Sequence, residues 1–157
     1  CQHSTEELQM RIRTLLLSVV WSIVLSGCAM SPAQQQAVAD RNARFLEGQP
    51  KCFNDKDCER MFAAARSWVV SNCGMKIQNI TDSYIETYNS TDGNTALHCR
   101  VSKDPFGQDG WVLSVTTGCG NLFGCYPDSW AAAFDFNAKV SAVAPRSDPP
   151  PLVQPIQ

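Results

Sequence analysis

The chain has 157 residues, a formal charge of −2 and eight cysteines. That length suits one domain. The near-neutral charge offers no clustered basic face, which excludes nucleic acid as an expected partner.

Cys1 to Gln9 is polar and precedes Met10, which reads as the true start. Met10-Arg11-Ile12-Arg13-Thr14 is a short basic opening, and Leu15 to Leu25 is a mostly apolar run. That run is too short for an ordinary membrane helix, which needs about twenty apolar residues. A basic opening, an apolar core and small residues before a cut point read as a secretory signal. Leu25-Ser26-Gly27-Cys28 places a cysteine at that cut point and resembles the lipobox of bacterial lipoproteins. The resemblance implies a thioether-linked diacylglycerol and an amide-linked acyl chain on Cys28. With Ala29 rather than aspartate next, it also implies outer-membrane sorting and a domain held in the periplasm. The globular part is similar to small proteobacterial envelope lipoproteins.

Four regions follow from this reading. Residues 1–27 are upstream residues and signal. Residues 28–51 are a lipidated tether, with Pro32 to about Leu46 as tether or loose helix. Residues 52–143 are the folded domain, and residues 144–157 are an extended proline-rich tail. The two arginines and two glutamates upstream of Cys28 cancel, so the mature chain keeps the same charge.

Within the domain, Cys58, Met61, Phe62, Ala65, Trp68 and Val69 fall on one face of a helix that begins near Asp57. Asp57 is its expected cap, and Gly74 its expected left-handed stop. Arg60 and Arg66 lie on its outer, solvated face. Four strands follow: Met75–Ile80, Tyr84–Tyr88, Thr95–Ser102 and Trp111–Thr117. Asn89–Asn94 and Asp104–Gly110 read as turns between them. Short connections make an antiparallel meander. A last helix follows Pro127, with Trp130, Ala133, Phe134, Asn137 and Val140 at helical spacing. The expected fold is α+β: a two-layer sandwich of a four-stranded meander with two helices on one face, in the order α-β-β-β-β-α. Phe62, Trp68, Trp130 and Phe134 are expected to fill the layer between.

Cys1 lies upstream of the signal and Cys28 is taken by lipid, which leaves Cys52, Cys58, Cys73, Cys99, Cys119 and Cys125. An even set in a small exported domain reads as a disulfide framework. The simplest pairing closes Cys52 to Cys58 and Cys119 to Cys125 locally and leaves Cys73 for Cys99. Fifteen pairings are possible, and sequence does not choose among them. No metal and no cofactor are called for. The spacings lack a zinc knuckle, and the mature chain has a single histidine, His98. His98 and Cys99 are adjacent in a strand, point to opposite faces and cannot act on one another. Asp82, Glu86, Asp92, Asp104 and Asp109 single out no catalytic pair. The sequence holds no nucleophile elbow, P-loop or zinc-protease motif. The sequons at Asn79 and Asn89 read as turn residues.

The expected role is non-enzymatic: a lipid-anchored protein that reaches the membrane through Cys28 and binds an envelope protein or cell-wall component. Its expected surface is the open sheet face with Tyr84, Glu86, Tyr88, His98 and Arg100, or the Leu122-Phe123 loop tip, which could equally tuck into the core. The alternatives are a periplasmic hydrolase using carboxylates or His98, and an accessory of a secretion or pilus assembly.

Overall fold

The computed structural model describes residues 30–143. The Leu25–Cys28 lipobox, the signal before it and the tail after Val143 lie outside the described residues. The chain divides between Asp40 and Arg41 into two units. Among the described residues the first unit contributes the opening turns of helix α1 (Pro32–Glu47).

Helix α1 forms where a tether or loose helix was expected. Its start explains why. Ser31 Oγ accepts from Gln34 N at 3.2 Å, and Gln34 Oε1 accepts from Ser31 N at 2.9 Å. This reciprocal cap satisfies two free N–H groups, and Pro32 sits at the first helical position, where its missing N–H costs nothing. No residue of α1 is fully buried, in keeping with its weak apolar stripe.

The second unit carries the fold. Helix α2 (Asp55–Asn72) buries all six residues of the expected stripe, from Cys58 to Val69. It begins two residues earlier than expected, because Asn54 rather than Asp57 is the cap and accepts from Asp57 N at 2.9 Å. Asp57 instead accepts from Asn54 Nδ2 at 2.7 Å and pairs with exposed Arg60. Gly74 is not a left-handed stop either. Cys73 ends the helix in extended backbone. A Cβ on Gly74 would come within 2.7 Å of the Ala96 Cβ, so the glycine serves close packing.

The sheet has five antiparallel strands rather than four, in the order β1-β5-β4-β3-β2. They are β1 (Lys51–Cys52), β2 (Ile77–Ile80), β3 (Tyr84–Thr87), β4 (His98–Phe106) and β5 (Gly110–Gly118). Two residues show no period, so β1 leaves no trace in the pattern. β4 and β5 run through most of the stretch expected as a turn and meet at Gly107, whose φ is 66°. Pro105 is tolerated inside β4 because Lys103 N, bonded to Ser83 O at 2.8 Å, makes the last bond on that side. The missing N–H of Pro105 points past the start of β3.

Helix α3 (Ser129–Ser141) is capped by Asp128, which accepts from Ala131 N at 2.8 Å. With α2 it covers one face of the sheet, burying Ile85, Val101, Leu113 and Val115. Phe62 and Trp68 join that layer, but Trp130 and Phe134 do not. Phe136 takes their place, edge-on to Trp68 at 5.2 Å. The Trp68 indole N–H donates to Asp135 at 2.8 Å. Trp130 and Phe134 face the end of α1 instead. Phe45 meets them edge-on at 5.9 and 6.1 Å, the Arg41 guanidinium stacks 4.3 Å from Trp130, and Asn137 donates to Phe45 O at 3.0 Å. The α3 stripe therefore serves two partners, one of them unseen by a two-helix reading.

Among the described residues three disulfides form: Cys52–Cys58, Cys73–Cys99 and Cys119–Cys125. The first joins β1 to the opening turn of α2. The second ties the end of α2 to β4. The third closes a loop beyond the end of β5.

Candidate binding surfaces

The open sheet face collects most of the residues expected there. Alternation puts Tyr84, Glu86, His98 and Arg100 opposite buried Ile85, Cys99 and Val101. Register sets Glu86 directly across from Arg100. Arg100 donates through Nη2 at 2.6 Å and Nε at 3.2 Å, both to Glu86 Oε1. Those bonds hold the Glu86 carboxyl below its ordinary range and push the Arg100 guanidinium up. Burial, followed by hydrogen bonding to Glu86, raises the Tyr84 phenol. Tyr88 lies just past the end of β3 and is exposed.

His98 and Glu86 line one small recess of about 110 Å³, with Thr87, Asn89, Cys99, Arg100 and Thr116. An imidazole beside a carboxylate is the arrangement a hydrolase needs. The rest of the recess does not complete it. Glu86 is held as the ion by Arg100, Thr87 Oγ1 accepts from Cys99 N at 2.9 Å, and Cys99 Sγ is in a disulfide. His98 Nδ1 accepts from Ser90 N at 3.4 Å, and its ring lies so close over Gly118 that a Cβ there would sit 2.9 Å from Nε2. Asp82, Asp92, Asp104 and Asp109 do not line this recess.

The second surface is the Cys119–Cys125 loop. Leu122 and Phe123 do not tuck into the core: they are 100% and 99% exposed, and Tyr126 beside them is 83% exposed. The loop is nevertheless built. Phe123 N donates to Asn121 Oδ1 at 2.8 Å. Asn121 Nδ2 donates to Gly93 O at 3.0 Å, Gly93 N to Gly120 O at 2.9 Å, and Tyr126 N to Thr95 O at 2.9 Å. Gly120 is required, because a Cβ would fall 2.0 Å from Thr91 O. Two loops thus clamp each other beneath an apolar tip, and Asp92 lines the recess beside it.

A third apolar patch was not anticipated. Phe53 and Phe106 are exposed at the β4–β5 hairpin end on the open side of the sheet, and Trp111, level with buried Cys52, is exposed on the helix side. Phe53 meets Phe106 at 6.3 Å and lies over Gly110, where a Cβ would come within 2.9 Å of its ring. Lys51 Nζ sits 5.0 Å from the Phe106 ring, and Lys103 Nζ 5.3 Å from Trp111. The signal was available: Phe53 occupies the Cys52–Cys58 loop as Phe123 occupies the Cys119–Cys125 loop.

Among the described residues, no three His, Cys, Asp or Glu side chains gather to hold a metal ion, and no helix is long and apolar enough to cross a membrane. Comparison with protein-family models, curated proteins and solved structures yields no match.

Proposed function

We propose that the protein is a lipid-anchored, non-enzymatic component of the bacterial envelope that binds a partner protein or cell-wall component in the periplasm. Cys28 carries the lipid, α1 and the residues before it space the domain from the outer membrane, and the disulfide-stapled α+β domain does the binding. The observation that carries the reading is the full exposure of Leu122 and Phe123 on a loop closed by a disulfide and clamped to its neighbour. Large apolar residues held out in water on an ordered loop cost little further entropy when they dock.

The test uses the full chain in a bacterial host. Cys28→Ser should move the protein from the membrane to the soluble fraction. Leu122→Ser with Phe123→Ser should leave it at the membrane and folded, yet reduce its crosslinks to envelope proteins and purified peptidoglycan at least tenfold. Unchanged partitioning of the first variant would remove the anchor, and unchanged crosslinking of the second would remove the tip.

The pairing of His98 with Glu86 in one recess favours a second reading, a periplasmic hydrolase. Its missing nucleophile would have to be water. The edge of β5 from Ser114 to Gly118 has no strand partner among the described residues, which favours a place in a secretion or pilus assembly built by strand addition.

A further inference from the structure

We propose that the last turns of α1, from Arg41 to Glu47, are a releasable strap. Closed, they cover the edge of β5 and the Trp130-Phe134 side of α3, and they open while the rest of the domain stays folded. The strap lies where the sheet needs a cover. β1 pairs with β5 only at Trp111 and Val112, and Leu113 N donates to Pro50 O at 2.8 Å. Alternation then turns the N–H and C=O groups of Val115 and Thr117 away from β4 as well. Among the described residues neither has a backbone partner on that side. Phe45 stands at this edge, lining a cleft of about 280 Å³ with Val115, Thr117, Trp130 and Ala133. Just past the helix, Gln49 Nε2 donates to Ser114 Oγ at 2.9 Å. A helix end laid along an unpaired strand withholds it from pairing with another chain.

Three observations make this contact releasable. No residue of α1 is fully buried, whereas α2 sends six into the core, so lifting the strap takes nothing out of the core. Phe45 touches Trp130 and Phe134 edge-on beside the cleft, and its ring is only half-buried there. Side chains facing a cleft forgo packing contacts on that side. Among the described residues, the two buried side-chain polar atoms without a hydrogen-bond partner are Arg41 Nε and Asn137 Oδ1. Both belong to this contact, since the Arg41 guanidinium stacks on Trp130 and Asn137 Nδ2 holds Phe45 O. Each such atom costs desolvation while the strap is closed and regains water when it opens. A segment with few buried apolar contacts opens at a lower free energy than the core around it. A load on the chain ahead of Arg41 also enters the domain through these turns.

Three consecutive alanines of α3 provide the test. Ala131 is exposed, Ala132 is 6% exposed one turn before Phe136 on the core side, and Ala133 is 5% exposed and lines the cleft under Phe45. Each is replaced by cysteine in turn, in the full mature chain carrying Cys28→Ser with its disulfides oxidised, and the single free thiol is alkylated with iodoacetamide under native conditions. The Ala131→Cys thiol should react at once, and the Ala132→Cys thiol only as fast as the whole domain unfolds. The Ala133→Cys thiol should fall between them, about tenfold or more from each. Adding Phe45→Ser should bring the Ala133→Cys rate up to that of Ala131→Cys and leave the Ala132→Cys rate within about twofold of its parent. An Ala133→Cys thiol that keeps pace with Ala132→Cys would show that the strap opens only with the domain. One that reacts as fast as Ala131→Cys in the parent would show that nothing is closed. A Phe45→Ser change that speeds Ala132→Cys as much as Ala133→Cys would make Phe45 a support of the core. Any of the three overturns the proposal.

Discussion

Two loops in this molecule have the same covalent design and opposite fates. Cys52–Cys58 and Cys119–Cys125 each close a disulfide at a sequence separation of 6, and each holds an exposed phenylalanine. Cys52 and Cys58 are 2% and 3% exposed, because β1 and the first turn of α2 aim both into the layer between helices and sheet. Cys119 and Cys125 are only half-buried, because one follows the end of β5 and the other precedes α3. The first loop leans its Phe53 on the hairpin. The second leans Leu122 and Phe123 on nothing. Equal spacing therefore decides that a loop closes, and the neighbouring elements decide whether it staples a core or presents a tip.

The loops can be separated by stability. Loops of equal length constrain the unfolded chain equally, at about 2 kcal/mol each in the chain-entropy model. Replacing Cys52 and Cys58 together with alanine should cost more than that, about 3–4 kcal/mol, because it also leaves a gap in packed core. For a domain of this size the melting temperature should fall by more than 10 °C or so, measured by calorimetry on the oxidised chain. A loss no larger than that of the outer loop would show that the buried position adds nothing.

Replacing Cys119 and Cys125 with alanine should cost only the unfolded-state share, about 2 kcal/mol. Its larger effect should be on docking. Without the disulfide the tip keeps its hydrogen bonds to Gly93 and Thr95 but samples more conformations, and association should weaken by about tenfold as that entropy is lost on binding. A variant that docks as tightly as the parent would mean the clamp between the two loops suffices by itself.

The same contrast explains what was legible in the sequence. The α2 stripe was read in full, because six apolar positions at one helical spacing leave little choice of face. The Cys58 end of the inner staple followed from that stripe. Strand alternation placed Glu86 and Arg100 on the open face, since period two admits only two arrangements. The outer loop carries no period, so its sequence leaves burial and exposure of Leu122-Phe123 equal, and the clamp to Gly93 and Thr95, a contact between loops distant in the chain, decides for exposure. Strand β1 is two residues long and shows no pattern. The split of the α3 stripe between Phe136 for the core and Trp130 with Phe134 for Phe45 depends on where α1 ends, a tertiary contact that spacing within α3 cannot encode.

Between the two loops, the open face gives the smallest effect and the control for both. Arg100 holds the Glu86 carboxyl below its ordinary range. A carboxyl lowered in the folded state binds fewer protons there than in the unfolded chain. The stability it contributes is therefore present above the unfolded value and lost as the pH falls through the folded one, in the region below about pH 4. The pair is open to solvent and screened, so the effect should be small. It should appear as a shallower acid limb in denaturant titrations of Glu86→Gln, and added salt should shrink the difference. The Leu122-Phe123 tip does not include Glu86, so the same substitution should leave crosslinking through the tip at neutral pH unchanged. A Glu86→Gln variant that crosslinked differently would draw the open face into the contact and end the division between a face that stabilises and a tip that docks.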